Sequence, residues 1–416
     1  MPVVVGEKAR EECRDQPVPQ SKNQLDCSAN VTPSIDPCFV HPRDGVYNSP
    51  SPTINPFPPS LKASSQLSFM LSKRSAFFAA SSVALLGCSL KATQHHFYPQ
   101  ASALHLLRNA MSTTTTTSNA TSVALAAKPE ILPRRWYERG HADHGWLKTF
   151  HTFSFAMHHD PEHMSFSDLR VINEDRVTPG EGFGEHQHAN FEIFSYLVAG
   201  ELTHRDSMGN VETLKRGDLQ FTSAGKGIRH SEYNHNKSKD VHFAQIWYLP
   251  DEKNLTPKYY TSQTPDEMKR DVLKTLIKPY KTFTEEEQKV TGLLPSGRPI
   301  PARNALVTRA SILTPGKSVE HIVGTDTEGV TQPGDERWLY VHMLMHNYKA
   351  PTRQSKTTPP GKDEATLIMK TAQGDLQLNE GDGVYIKNVH VGEAIQFTST
   401  GAQDAEFILF DLRAKA

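Results

Sequence analysis

From Ile131 onward, apolar and polar positions alternate in short runs broken by turn dipeptides, which is the period of half-buried strands. "DSMGNVE" predicts a hairpin turn between "GELTHR" and "VETLKRG", and "KRGD" predicts another before "LQFTSA". With no long helical period before Pro250, the pattern predicts an all-β sandwich or barrel rather than a βαβ fold. Further on, Met268, Val272, Leu273, Leu276 and Ile277 recur at helical spacing behind Pro265 and predict one amphipathic helix on a polar connector. Strand-like runs resume near Arg303, and "LNEGDGVYI" parallels "LKRGDLQFT" of the first block, as a duplicated unit would. "YKAPTRQSKTTPPGKDEA" reads as an exposed loop. The expected order is a leader over residues 1–130, a β-domain over 131–250, a partly helical connector over 251–302 and a second β-domain over 303–416.

Composition separates the leader from the rest. The 37 % hydrophobic content of the 416 residues is low for a fully globular chain, and the deficit lies in the Ser-, Thr- and Pro-rich first 129 residues, which predict disorder. That segment holds 11 Lys plus Arg against 7 acidic residues, and the body holds 34 against 39. A mildly acidic body is a poor match to a phosphate backbone, so direct nucleic-acid binding is not expected. All four cysteines (Cys13, Cys27, Cys38, Cys88) fall in the leader, which leaves the body without disulfide, thiolate ligand or Cys nucleophile. No acidic residue occurs between Asp44 and Glu130, and "MLSKRSAFFAASSVALLGCSL" sets Lys73 and Arg74 before an apolar run too short to span a membrane. An organelle address of mitochondrial type, an over-extended start (Met70 and Met111 are alternatives) and a disordered tail all fit this leader. Otherwise the expected location is cytoplasmic or nuclear.

Candidate chemistry gathers in two stretches, "GEHQHANFE" and "IRHSEYN". Side chains two apart on a strand share a face, so His186 pairs with His188, and His230 with Glu232. Three imidazoles and a carboxylate suit Fe(II), Mn(II), Ni(II), Cu(II) or Zn(II), with positions left for substrate or dioxygen. Among the other histidines, His141, His144 and His151 fit polar–aromatic packing, His204 a solvated hairpin, and His158 to His163 a rim loop. Phe183, Phe194 and Trp247 fit either the wall of an aromatic-substrate pocket or plain core, with plain core the expectation for aromatics on barrel strands. His321, His342 and His346 of the second block lack an H-x-H partner, so that domain is expected to hold no metal and to serve as packing and lid.

"RGHADHGWLKTFHTFSFA", "LRVINEDRV", "GFGEHQHANFEIFSYLVAGELTHRDSMGN" and "SAGKGIRHSEYN" together resemble the N-terminal domain of the pirin family of bicupins, in its quercetinase-like branch. Gly180, His186, His188 and Glu192 satisfy the first cupin motif, though Gly200 comes one residue late; His230 and Asn234 satisfy part of the second. The resemblance implies a bicupin of two jelly-roll barrels in tandem, the second degenerate, with the metal held by His186, His188, His230 and Glu232. It leaves Glu192 in question, as generic cupins ligate through that position. Here it is expected behind the ligands or in catalysis, where Glu192 and Glu232 are the two candidates to take a substrate proton. The implied activity is a flavonol 2,3-dioxygenase with Fe(II) as the first-choice metal, taking a flavonol-like substrate and O2 and releasing carbon monoxide, in a monomer with no membrane contact. The alternative it implies is an iron-binding transcriptional co-regulator that contacts a protein partner.

Overall fold

The computed structural model describes residues 128–359, 361, 363–371 and 374–415, and the expectations for the leader before residue 128 lie outside these residues. The described chain is almost entirely strand, in four sheets of eight, four, seven and four strands. The eight-stranded sheet and the four-stranded sheet built on Gly182–His188, Ile228–Tyr233, Glu201–Asp206 and Val211–Lys215 form the first barrel. Its interior is filled by Leu147, Val177, Leu197, Leu202, Leu214, Val241 and Phe243. The seven-stranded sheet and the other four-stranded sheet form the second barrel, around Leu339, Val341, Leu367, Phe397 and Phe407. Two β-barrels in tandem are thus the observed architecture, as the sequence pattern predicts.

Period-two alternation explains how the large sheets serve two cores at once. On Glu192–Ala199, Ile193 and Leu197 face the interior of the first barrel, while Phe194, Tyr196 and Val198 face outward into a core shared with Tyr340, Ile408, Phe410 and Leu412 of the second. With both faces covered, this strand reads as an almost continuous apolar run. The duplicated turns also match: Gly217 (φ +88°) and Gly381 (φ +84°) each turn the chain from a four-stranded sheet into a large one. The hairpin at "DSMGNVE" joins Glu201–Asp206 to Val211–Lys215, with Asp206 Oδ1 accepting from the backbone N–H of Met208 and Asn210.

The amphipathic helix behind Pro265 is not formed. A single turn, Asp266–Lys269, ends before Asp271, whose φ of +56° is left-handed, and Lys274–Pro279 is a strand. One short helix is marginal in water, whereas the free edge beside Val307–Leu313 offers ladder hydrogen bonds and buries Leu276 and Ile277. Residues 251–302 are therefore shared out between the barrels rather than standing apart. Lys258–Gln263 joins the eight-stranded sheet, and Lys274–Pro279 and Ile300–Ala302 join the seven-stranded one. Glu130–Arg134, across the expected boundary between leader and first domain, pairs with Gly383–Lys387 and so belongs to the sheet of the second barrel. No helix among the described residues is long and apolar enough to cross a membrane.

Candidate metal centre

His186 and His188 sit on one face of Gly182–His188, and His230 lies directly across from His186 on Ile228–Tyr233. The three rings converge with centroid separations of 4.5 to 4.8 Å, and their ligating nitrogens all lie within 4.8 Å of one another. His188 and His230 are buried and His186 half-buried. Burial lowers the proton affinity of each ring: His188 is pushed down to about 3, and His230 falls well below the usual histidine value, with the neighbouring imidazoles adding to the effect. All three are therefore neutral at physiological pH, the form that binds metals.

A hydrogen bond aims the lone pair of His186 inward. His186 Nδ1 is 2.7 Å from the carbonyl of Gly184, which fixes the proton there and leaves Nε2 as a lone pair. That Nε2 is 3.0 Å from Nε2 of His230, and the buried Nε2 of His188 has no hydrogen-bond partner. Three converging neutral nitrogens, one of them orphaned, fit a divalent cation.

Glu232 follows His230 on the same strand, after a register shift. Its carboxylate is fully enclosed and accepts from Ser195 Oγ at 3.1 Å and Gln245 Nε2 at 2.8 Å. Burial raises its pKa to about 7. The group of ligating atoms close enough to share one ion comprises the three histidines; Glu232, the fourth expected ligand, is outside that group, its carboxylate held by Ser195 and Gln245.

Glu192 is not brought to this site. It shares the outward face with Phe194 and Tyr196, and both of its oxygens accept from the backbone N–H of Arg303, at 2.9 and 3.0 Å. There it lines a separate cavity of about 230 Å³ with Ser223, Lys258, Tyr260 and Arg303. Its even spacing from His188 does not put it on the same face, because the chain leaves one sheet after His188 and enters another at Glu192, with Asn190 at φ +57° in the corner.

His204, expected in a solvated hairpin, is fully buried with Nε2 3.1 Å from Nδ1 of His230. Its alternation with inward Leu202 was the available signal. Of the three aromatics read as pocket wall or core, Trp247 lines a cavity. Its ring meets that of His188 edge-on at 4.6 Å and walls a cavity of about 480 Å³ with Phe191, Gln187, Lys226 and Arg229. Phe183 packs on Trp146, and Phe194 lies between the barrels. His141 contacts Tyr348 and Phe150, and His151 contacts Asn173, the polar–aromatic packing expected of them. In the rim loop, Asp160 pairs with Arg134 and His163 with Tyr385. His321, His342 and His346 are each held by a carboxylate, from Asp411, Glu174 and Glu406.

Residues 134–248 match the family described as Pirin. The quercetin 2,3-dioxygenase of Escherichia coli strain K12 is 52 % identical over 129 residues, which is 31 % of this chain and 56 % of that protein. The chain thus spans little more than half the length of that relative. A pirin-like protein of Caulobacter vibrioides is 34 % identical over 282 residues, covering 68 % of this chain and 99 % of that one. Two crystal structures from Escherichia coli are similar over 69 % of the chain: YhhW, at TM-score 0.52 and 30 % identity over 99 % of its length, and bacterial pirin YhhW in complex with nickel(II), at 0.50 and 29 % over 100 %.

Proposed function

Because the chain belongs to the pirin family, we propose that it is a metal-dependent dioxygenase acting on a flavonol-like aromatic substrate. The observation that carries this reading is the convergence of three neutral imidazoles beside an aromatic-walled cavity of about 480 Å³, large enough for a substrate of that size. The relatives named quercetin 2,3-dioxygenase support the substrate class, and the nickel(II) complex of YhhW supports a divalent ion.

His186, His188 and His230 would hold the ion, with Glu232 as the fourth ligand. Iron(II) is our first choice, ahead of manganese, nickel, copper and zinc. A bound ion supplies Lewis acidity at an ionised substrate hydroxyl and a template for dioxygen. The remaining work falls to the protein. Trp247 and Phe191 offer flat apolar walls against which an aromatic ring stacks, and Lys226 and Arg229 put positive charge at the rim, which favours ionised phenols. Ser195 and Gln245 orient the Glu232 carboxylate with one hydrogen bond to each oxygen, leaving lone pairs free to complete the ligand set or to receive the substrate's hydroxyl proton.

Metal analysis with an aerobic flavonol assay on wild type and His230→Ala tests this. Loss of flavonol absorbance with O2 uptake is expected from the iron-loaded wild type, and loss of both metal and turnover from the variant. A variant that keeps full metal and full activity overturns the site. A wild type that loads metal without turnover assigns the fold to binding alone.

A further inference from the structure

His230 is the member of the trio whose outer nitrogen meets another imidazole. His186 is oriented by the Gly184 carbonyl, a group that can only accept, so its proton is confined to Nδ1. His230 Nδ1 instead faces Nε2 of His204 at 3.1 Å, and an imidazole nitrogen can either donate or accept. His204 is held flat against Tyr259, with centroids 5.2 Å apart and planes at 22°, and Tyr259 Oη donates to Glu212 at 2.8 Å. The Nδ1 of His204 is buried and makes no hydrogen bond to the protein, so no other contact dictates which of its nitrogens carries the proton.

Two proton patterns fit these distances. In the absence of metal, His186 Nε2 is a lone pair 3.0 Å from His230 Nε2, so the latter carries the proton and His230 Nδ1 accepts from His204 Nε2–H. A ligating His230 must offer Nε2 as a lone pair, so its proton moves to Nδ1 and needs an acceptor. His204 becomes that acceptor when its own proton moves from Nε2 to Nδ1. Each ring loses one proton and regains one, so the pair stays neutral throughout.

We propose that His204 is a positioning residue that sets the tautomer of His230, donating to its Nδ1 in the metal-free protein and accepting from it when Nε2 holds a metal. This rests on the reading of His230 as a ligand. The test uses His204→Phe, which keeps the ring on Tyr259 but removes both nitrogens, and His204→Gln, whose amide reaches the position of Nε2 and can donate or accept. Zinc(II) affinity is measured by chelator competition, and the protonated nitrogen of His230 is read by 15N NMR in metal-free and zinc-loaded full-length protein. His204→Phe should weaken zinc binding about 10- to 100-fold, His204→Gln should restore most of it, and in wild type the proton should move from Nε2 to Nδ1 on loading. The proposal is overturned by a His204→Phe variant that binds as tightly as wild type, by a His204→Gln variant no better than His204→Phe, or by a His230 proton that stays on one nitrogen throughout. His230→Ala serves as the control: if it binds zinc like wild type, the ligand assignment itself has failed.

Discussion

Glu174 of the first barrel accepts a hydrogen bond from Nε2 of His342 of the second at 3.1 Å, with neither side chain exposed. The same carboxylate takes Arg139 Nη1 at 3.1 Å, His242 Nε2 at 3.0 Å and the backbone N–H of Met345 at 2.7 Å, so one buried anion ties residues from both barrels. Burial alone would raise its pKa, but the hydrogen bonds from His242 and His342 and the charge of Arg139 hold it well below the usual carboxylate value.

Glu174→Ala strands the buried Arg139 guanidinium and should cost about 3–5 kcal/mol in chemical denaturation. The pH sign follows from the depressed native pKa. The stabilisation from Glu174 is fully present above the carboxylate range of the unfolded chain, near 4.5, and is lost as pH falls through the lower native value. The gap between wild type and variant should therefore narrow below about pH 4.5, and a gap that widens there would contradict this.

Glu192→Gln separates structure from chemistry. Burial pushes the Glu192 carboxyl up to about 8, partly countered by Arg303, so the native state holds a proton that the unfolded chain releases above about 4.5. Wild-type stability is lost from this group as pH rises from the unfolded value through the native one, and glutamine, which mimics the protonated form, escapes the loss. The variant should be more stable than wild type at pH 9, by on the order of a few kcal/mol, and nearly equal at pH 5. Metal content and flavonol turnover should stay at wild-type levels, and a collapse of either would return Glu192 to the catalytic set.

Trp247 should report on the metal centre. Its ring lies 4.6 Å from that of His188, so nickel(II) titration should quench tryptophan emission through this residue. In Trp247→Phe most of the quench should vanish, although Trp136, Trp146 and Trp338 remain. An undiminished quench would mean that the ion binds elsewhere.

Gly225 holds the loop that leads into the His230 strand. Its φ is +46°, and a Cβ there would come within 1.9 Å of the Leu255 carbonyl oxygen, which also accepts from the backbone N–H of Lys226. Gly225→Ala should cost about 2–4 kcal/mol and weaken metal binding, measured by thermal unfolding with and without zinc. A variant with wild-type stability and affinity would show that the loop yields freely.

Strand alternation made much of this molecule legible in the sequence. The side-chain period of two placed His186 beside His188, and the turn residues around Gly209, Gly217 and Gly381 marked where strands end. Both are local consequences of backbone sterics and hold wherever the strand lies. The Met268 to Ile277 run misled because its spacing serves a helix or a strand, and the vacant edge beside Val307–Leu313 decided between them.

What tertiary structure alone decided is the company each side chain keeps. His230 meets His186 through cross-strand register, and His204, whose inward side alternation with Leu202 marks, reaches His230 only because its strand pairs with Ile228–Tyr233. Glu192 turns toward Arg303 because the chain changes sheets at Asn190, where parity along one strand no longer applies. The sequence by itself determined strand periodicity and the kinds of ligand available. Pairing between distant strands determined which of them converge, since the free energy of register and burial belongs to both partners at once.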